Sequence, residues 1–376
     1  MSGGVDSSVA ALLLRRDGYD LVGLTMCLVE EDTRPARAGR GCCGVGAVVD
    51  ARKVASRLGM PHYVLNFREV FEELVVADFV EEYARGRTPN PCIRCNERVK
   101  FRVLLRRAEE LGCSCLATGH HARIDRGPGG EWRLRRGADG RKDQSYFLYT
   151  FTQEQLARVL MPVGAHTKDE VRGLAAAAGL PVADRPESQE ICFVPGDDYV
   201  AFLRDRRPGL FRPGPVLDTG GNVLGEHRGI AGFTVGQRRG LGIAFGERRY
   251  VVRLDPERNA VVLGSEQEAC GREAPVDELS WVAGRAPVPR FRATARPRYR
   301  HPGAPAEVSV GAGGRADVTF DEPQWAITPG QALVLYDGDV VLGGGTITRT
   351  DRTRAPESNR PGNGIFLDNL NDREDR

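Results

Sequence analysis

The spacing of hydrophobic positions changes character partway along this chain. Val9-Ala10-Ala11-Leu12-Leu13-Leu14-Arg15-Arg16 has the propensity of a helix, and it follows directly on Ser2-Gly3-Gly4-Val5-Asp6-Ser7-Ser8. Residues 21–26 read as a buried strand, 50–58 as a helix closed by Gly59, 62–67 as a strand and 71–85 as a helix. Residues 100–111, closed by Gly112, form the next expected helix, and 115–121 are strand-like. Strands and helices alternating at this spacing predict an α/β domain with a parallel, doubly wound sheet. Ligands bind such sheets at the carboxyl ends of the strands, where the glycine loop sits.

The pattern changes near Phe151. Two helical segments, 153–160 and 168–178, precede an irregular stretch carrying Cys192. Beyond Gly229 the signals are short β runs at 232–234, 249–254, 260–263, 291–295, 316–320, 332–336 and 340–342, punctuated by Gly, Pro and Asp. That predicts a small barrel. The expected organisation is an α/β domain at 1–152, a central domain at 153–228, a β-barrel at 229–350 and a disordered polar tail at 351–376.

Composition narrows the function classes. Hydrophobic content of 41% and charged content of 28% are those of a globular protein, and a net charge of +2 demands no nucleic acid globally. Any basic surface is therefore local. No apolar run approaches the ~20 residues of a membrane span, and the start is not a signal peptide. Nine cysteines without a secretion signal point to a reducing cytoplasm and to reactive or metal-binding thiols.

The chemistry begins at the glycines. Gly3 and Gly4 let the backbone approach a ligand closely, while Asp6, Ser7 and Ser8 offer capping oxygens and hydroxyls where the helix starts. Free N–H groups and the positive end of the helix dipole make an anion the expected guest. A plain Gly-Ser turn is the alternative. No G-x-x-x-x-G-K-[ST] occurs and no lysine follows the glycines, so this is not a Walker loop. S-G-G-x-D-S instead resembles the PP-loop of ATP pyrophosphatases. That resemblance implies a hydrophobic strand just upstream, where only Met1 stands. The expectation is that the chain begins at an internal methionine, lacks its first strand and folds poorly as given.

Thr88-Pro89-Asn90-Pro91-Cys92-Ile93-Arg94-Cys95-Asn96 has a rigid lead-in set by two prolines, then C-x-x-C ahead of a helix expected from about Asn96. A thiol at a helix N-terminus beside Arg94 favours the nucleophilic thiolate; half a zinc site is the alternative, but no second C-x-x-C completes it. Glu187-Ser188-Gln189-Glu190-Ile191-Cys192-Phe193 is the third such stretch, with a buried small hydrophobe as the alternative reading of Cys192.

Together with Ala117-Thr118-Gly119-His120, Lys142-Asp143-Gln144-Ser145-Tyr146-Phe147-Leu148, Gly225-Glu226-His227, 234–242, Arg298-Tyr299-Arg300 and Pro329-Gly330-Gln331, these stretches resemble the tRNA-specific 2-thiouridylases from residue 2 to about 348. The resemblance implies ATP on Ser2, Gly3, Gly4, Val5, Asp6, Ser7 and Ser8, with adenine near Met26 and Gly119. It implies Mg²⁺, for which Asp6 is the candidate (a plain cap being the alternative), and adenylation of the wobble uridine at its C2 oxygen. It implies sulfur arriving on Cys192 as a persulfide from a donor protein, a cysteine desulfurase or a persulfide relay protein, with Cys95 releasing it or closing a disulfide. Cys92 stands where many relatives carry aspartate, so Cys92, Cys95 and Cys192 holding a [4Fe–4S] cluster is the competing route.

The anticodon stem-loop is implied to meet Asn90, Pro91, Cys92, His120, Lys142, Asp143, Gln144, Arg298, Tyr299 and Gln331. Arg133, Arg135, Arg136, Arg238 and Arg239 add local basic charge, or equally form solvated faces. Cys42, Cys43, Cys113, Cys115 and Cys270 match no catalytic motif. Two other functions stay open: a PP-loop ligase or amidotransferase acting on a small molecule, and an inactive tRNA-binding protein.

Overall fold

The structure is a computed structural model, and it describes residues 1–29, 45–183, 185, 191–243 and 246–348. Cys42, Cys43, Ser188, Gln189, Glu190 and the expected tail at 351–376 lie outside the described residues.

The first half is α/β, with parallel pairing. Helix α1 (Val5–Arg16) leads to β1 (Gly23–Cys27), which pairs in parallel with β2 (His62–Asn66), Leu24 opposite Tyr63. The chain then runs through helical residues 68–84 and 91–110 to β3 (Leu116–Ala117). β4 (Ala122–Arg126) and β5 (Trp132–Arg136) form a hairpin, and β6 (Val159–Leu160) pairs in parallel with β3. The Met1 ammonium donates to the Leu24 carbonyl, and Thr25 Oγ1 donates to the Met1 carbonyl at 2.7 Å, so Met1 lies beside β1.

Two local differences from the sequence expectation matter for the site. The strand-like run at 115–121 shortens to Leu116–Ala117, because Gly119 closes on α1: a Cβ there would stand 2.5 Å from the Ser7 nitrogen. The cysteine helix begins at Pro91, not at Asn96. Asn90 is its N-cap, its side chain accepting the Cys92 N–H at 3.2 Å, and Pro91 is preorganised for the first helical position. Cys92 and Cys95 therefore stand three apart on one helical face.

β7 (Gly214–Asp218), β8 (Val223–His227), β9 (Tyr250–Asp255) and β10 (Ala260–Gly264) form a four-stranded sheet in the order β8-β7-β10-β9. This sheet takes strands from both sides of residue 229, where the barrel was expected to begin, because β7 pairs with β10 across that point. The expected strand at 232–234 is instead the end of a short helical turn, Ile230–Gly232, and an irregular continuation.

β11 (Cys270–Trp281), β12 (Arg290–Arg296), β13 (Ala304–Val310), β14 (Ala316–Trp325), β15 (Ala332–Asp337) and β16 (Val340–Ile347) follow. They pair in the order β11-β14-β13-β12-β15-β16, and β16 returns to β11, closing a six-stranded barrel. Along β14, Ala316, Val318 and Phe320 are buried while Asp317, Thr319 and Asp321 are exposed, the alternation that fills a small barrel. The β4–β5 hairpin joins the outside of this barrel at β16.

The largest core runs from the cysteine helix to the barrel, through Phe71, Phe79, Val99, Phe101, Tyr146, Val334 and Tyr336. Side chains buried this fully contribute about 1.5–3 kcal/mol each. Polar ties reinforce the contact. Gln331 Nε2 donates to the Thr88 carbonyl at 2.8 Å, the Thr88 N–H donates to Pro329 at 2.9 Å, and Arg94 Nη2 reaches Glu278 at 2.5 Å. Among the described residues no helix is long and apolar enough to cross a membrane.

Candidate functional site

The loop ahead of α1 is shaped for an anion. Gly3 adopts φ +69°, and a Cβ there would fall 2.3 Å from the Ala47 carbonyl oxygen, so only glycine fits. Gly4 is the N-cap and offers no side chain, which leaves the first N–H groups of α1 without a side-chain cap. This corrects the expected capping role of Asp6, Ser7 and Ser8, which lie inside the first turn. Ser7 and Ser8 Oγ both donate back to the Gly4 carbonyl, at 3.2 and 2.9 Å. Uncapped N–H groups at the positive end of a 12-residue helix are suited to receive a phosphate.

Asp6 is already engaged. Lys168 Nζ donates to its two oxygens at 2.7 and 2.8 Å, and His121 Nε2 donates at 3.1 Å. Burial alone would raise the Asp6 pKa, but the His121 and Lys168 bonds and charges carry it below the usual carboxylate range. His121 is buried, and its Nδ1 has no hydrogen-bond partner among the described residues. Beside it, burial and then the Lys100 charge hold His120 well below the ordinary imidazole pKa, so its ring is neutral, with Nδ1 2.9 Å from Thr118 Oγ1. Gln144 Oε1 accepts the His121 N–H at 2.9 Å.

The thiols stand on the first turn of the cysteine helix and on the segment after the undescribed 186–190. Cys95 is buried, Cys92 exposed and Cys192 half-buried, the last packed against the core beside Phe193. Among the described residues no group of three His, Cys, Asp or Glu side chains is placed to hold a metal ion. The thiolate chemistry suits an iron–sulfur cluster, but the three cysteines as positioned do not form its ligand set. Mg²⁺ asks less of the protein: one carboxylate plus substrate phosphates commonly suffices, and Asp6 at the cradle fits that role.

The third side of the site joins two distant stretches. Asp143, 3% exposed, accepts the N–H groups of Gly137 (3.2 Å) and Ser145 (3.0 Å) and the Arg296 guanidinium (3.1 Å). Arg296 also donates to the His301 carbonyl at 2.8 Å and to the Tyr299 carbonyl. Asp143 thus supports its neighbours Lys142 and Gln144 from beneath. Tyr299 stacks obliquely on Phe147 with ring centres 4.3 Å apart. Arg298 turns to the Trp325 carbonyl at 2.7 Å, and Gln331 to Thr88. Arg133 and Arg135 pair with Asp125, and Arg135 also with Asp339, so these arginines are spent within the protein. Arg238 and Arg239 are exposed.

One open cavity of about 1840 Å³ unites these parts. Ser2, Gly4, Val5, Asp6, Ser7, Met26 and Gly119 line it at the phosphate end, Pro91, Cys92, Cys95 and Cys192 at the thiol end, and His120, Lys142, Asp143, Gln144 and Tyr299 between. Gly3, Ser8, Asn90, Arg298 and Gln331 are not among the residues that line it. Sequence reasoning missed Lys168, His121 and Arg185, all on the wall; Arg185 donates to the Gly3 carbonyl at 2.7 Å and to Asp50 at 2.6 Å. A lysine at the first position of a helix, after the capping threonine Thr167, was the available signal for Lys168. Cys113 and Cys115, which matched no motif, also line the cavity.

Comparison with known proteins gives a consistent picture. Residues 1–196 match the family model described as the tRNA methyl transferase HUP domain, 201–265 the tRNA methyl transferase PRC-barrel domain, and 272–347 the aminomethyltransferase beta-barrel domain. The tRNA-specific 2-thiouridylase MnmA of Moorella thermoacetica is 53% identical over 349 residues, covering 92% of this chain and 98% of that protein. The proteins of the same name from Geobacter metallireducens (52%, covering 92% and 95%) and Heliobacterium modesticaldum (52%, covering 96% and 94%) are similar to nearly the same degree.

Proposed function

The chain belongs to the family of tRNA-specific 2-thiouridylases, and from that premise we propose that it is a tRNA-uridine 2-sulfurtransferase. It exchanges the C2 oxygen of the wobble uridine for sulfur at the expense of ATP. The observation that carries this reading is the convergence of an uncapped helix N-terminus, Cys95 and Cys192, and the Lys142–Tyr299 wall on one cavity. The matching domain descriptions speak of methyl transfer, whereas the relatives are named for thiolation; thiols at the far end of a phosphate cradle favour the second.

The α1 cradle and Gly119 hold ATP so that the uridine C2 oxygen attacks the α-phosphorus, and the bond to pyrophosphate breaks. An oxygen that leaves poorly becomes one that leaves as AMP. Mg²⁺ bound at Asp6 would neutralise charge on the leaving pyrophosphate. Neutral His120 and the uncapped amides supply dipoles without competing for the proton. The base must leave the anticodon stack to reach the thiols, and Tyr299 offers it an aromatic face.

Sulfur arrives from a donor protein as a persulfide on Cys192. Its terminal sulfur attacks C2 and AMP departs. The Cys95 thiolate then attacks Cys192 Sγ, which breaks the persulfide bond, leaves sulfur on the base and closes a Cys95–Cys192 disulfide. An external thiol must reduce that bond before the next turnover. No step here passes through a cluster.

The test is nucleoside mass analysis of unmodified tRNA after incubation with protein, ATP, Mg²⁺ and a persulfide donor. A 2-thiouridine at the wobble position is the expected product. Folded protein that yields none, beside an active relative, overturns the proposal, and turnover surviving Cys95→Ser would favour a small-molecule ligase instead.

A further inference from the structure

A loop that cradles phosphates usually has a cation nearby, and this loop has no lysine of its own. The fold brings one from 162 positions away. Lys168 is 6% exposed and lies on the cavity wall, with Nζ on both oxygens of Asp6. It occupies the first position of the Lys168–Ala177 helix, where the helix dipole repels a cation. Its backbone N–H is taken by Asp139 at 3.2 Å. The N-terminus of α1, packed against the same helix, adds a second positive helix end. Two positive helix ends, a buried ammonium and the His121 ring sit at one place, with Asp6 as the carboxylate between them. For stability alone this is a poor position for a lysine. For an anion with several charges it is a good one.

We propose that Lys168 is a phosphate-binding residue: it rests on Asp6 when no nucleotide is present and turns to the phosphates of ATP when they enter the cradle. Asp6 is thereby released to the cation that accompanies the nucleotide. This inference rests on the ATP-dependent reading above and assigns that reading a residue distant from the loop.

The experiment measures equilibrium binding of α,β-methylene-ATP and of adenosine to wild type, Lys168→Met and Lys168→Arg, without tRNA. Loss of a charge-assisted bond corresponds to about 10- to 100-fold in affinity. Lys168→Met should lose that factor for the nucleotide, keep adenosine within about twofold, and regain part of the loss as Lys168→Arg. Because Lys168→Met leaves Asp6 buried without its cation, Asp6→Asn is compared with Asp6→Asn/Lys168→Met, where that penalty is absent. The same loss in the double variant supports the proposal. Equal nucleotide affinity in those two variants reduces Lys168 to a neutralising partner of Asp6 and overturns it, with the ATP reading intact. A wild type that binds the nucleotide no better than adenosine overturns both.

Discussion

The two ends of the cavity are built differently. At the phosphate end nearly every group is held before any ligand arrives: Gly3 against Ala47, Gly119 against Asp6 and Ser7, and Asp6 between Lys168 and His121. At the thiol end Cys92, Cys95 and Cys192 share a wall at three different degrees of exposure, and no metal-holding group is assembled among the described residues. The contrast suits chemistry in two stages. The adenylation proposed above gains from rigid dipoles that need no reorganisation, whereas the proposed sulfur transfer requires one thiol to meet a donor protein and then a second thiol.

The sharpest way to break this comparison is to remove one thiol at a time. Cys95→Ser and Cys192→Ser should each lower 2-thiouridine formation by about three orders of magnitude or more, while tRNA-dependent pyrophosphate release continues. Loss of both signals in parallel would show that the two ends do not act separately. Iron analysis of anaerobically purified protein accompanies this test, since stoichiometric iron would restore the cluster route.

A smaller effect is expected where the two ends are joined. The Asp143–Arg296 pair is almost wholly enclosed, its side chains 3% and 10% exposed. Arg296→Met strands a buried carboxylate and should cost roughly 3–5 kcal/mol of stability. It should also raise KM for tRNA, because Tyr299 and His301 lose the guanidinium that holds their carbonyls, while ATP binding stays near wild type. Denaturant melts and separate KM values for the two substrates check this. An ATP affinity that fell equally would place Arg296 with the phosphate end.

The smallest effect concerns acid. His227 and His301 each accept a backbone N–H at Nδ1, from Gly229 and Gly303, both at 3.0 Å, and burial lowers the pKa of both rings. The folded rings stay neutral while the unfolded chain takes up protons below its ordinary value of about 6.5. Their stabilisation is therefore present above about pH 6.5 and is lost as pH falls toward the lower folded values. The thermal midpoint should drop by a few degrees between pH 7 and 5.5, and less steeply in His301→Asn. His227 does not line the cavity and His301 lies on its wall with Arg296 and Tyr299, so nucleotide affinity should not follow the same curve.

What could be read from the chain was local. The glycine loop, the Asn90-Pro91 helix start and the cysteine spacing are written in neighbouring residues, because turns, caps and helical faces depend on atoms a few positions apart. The short strand at 316–320 was legible for the same reason, and so was the parallel α/β character of the first half. Even here a local signal was misread: Asn90 and Pro91 start the helix that was placed at Asn96.

The rest depended on groups that meet only after folding. Nothing near Lys168 announces Asp6, and nothing near Asp143 announces Arg296. The need for Gly119 is invisible until α1 closes on it, and the β4–β5 hairpin gives no local sign that it will join a barrel whose strands begin beyond residue 269. A buried charge must find its partner wherever the topology brings one, since desolvation makes the unpaired state too costly. By itself, then, the sequence determined the loop, the thiols and the class of each half; the tertiary structure decided which charges and rings converge on them, because burial and pairing are properties of the assembled core.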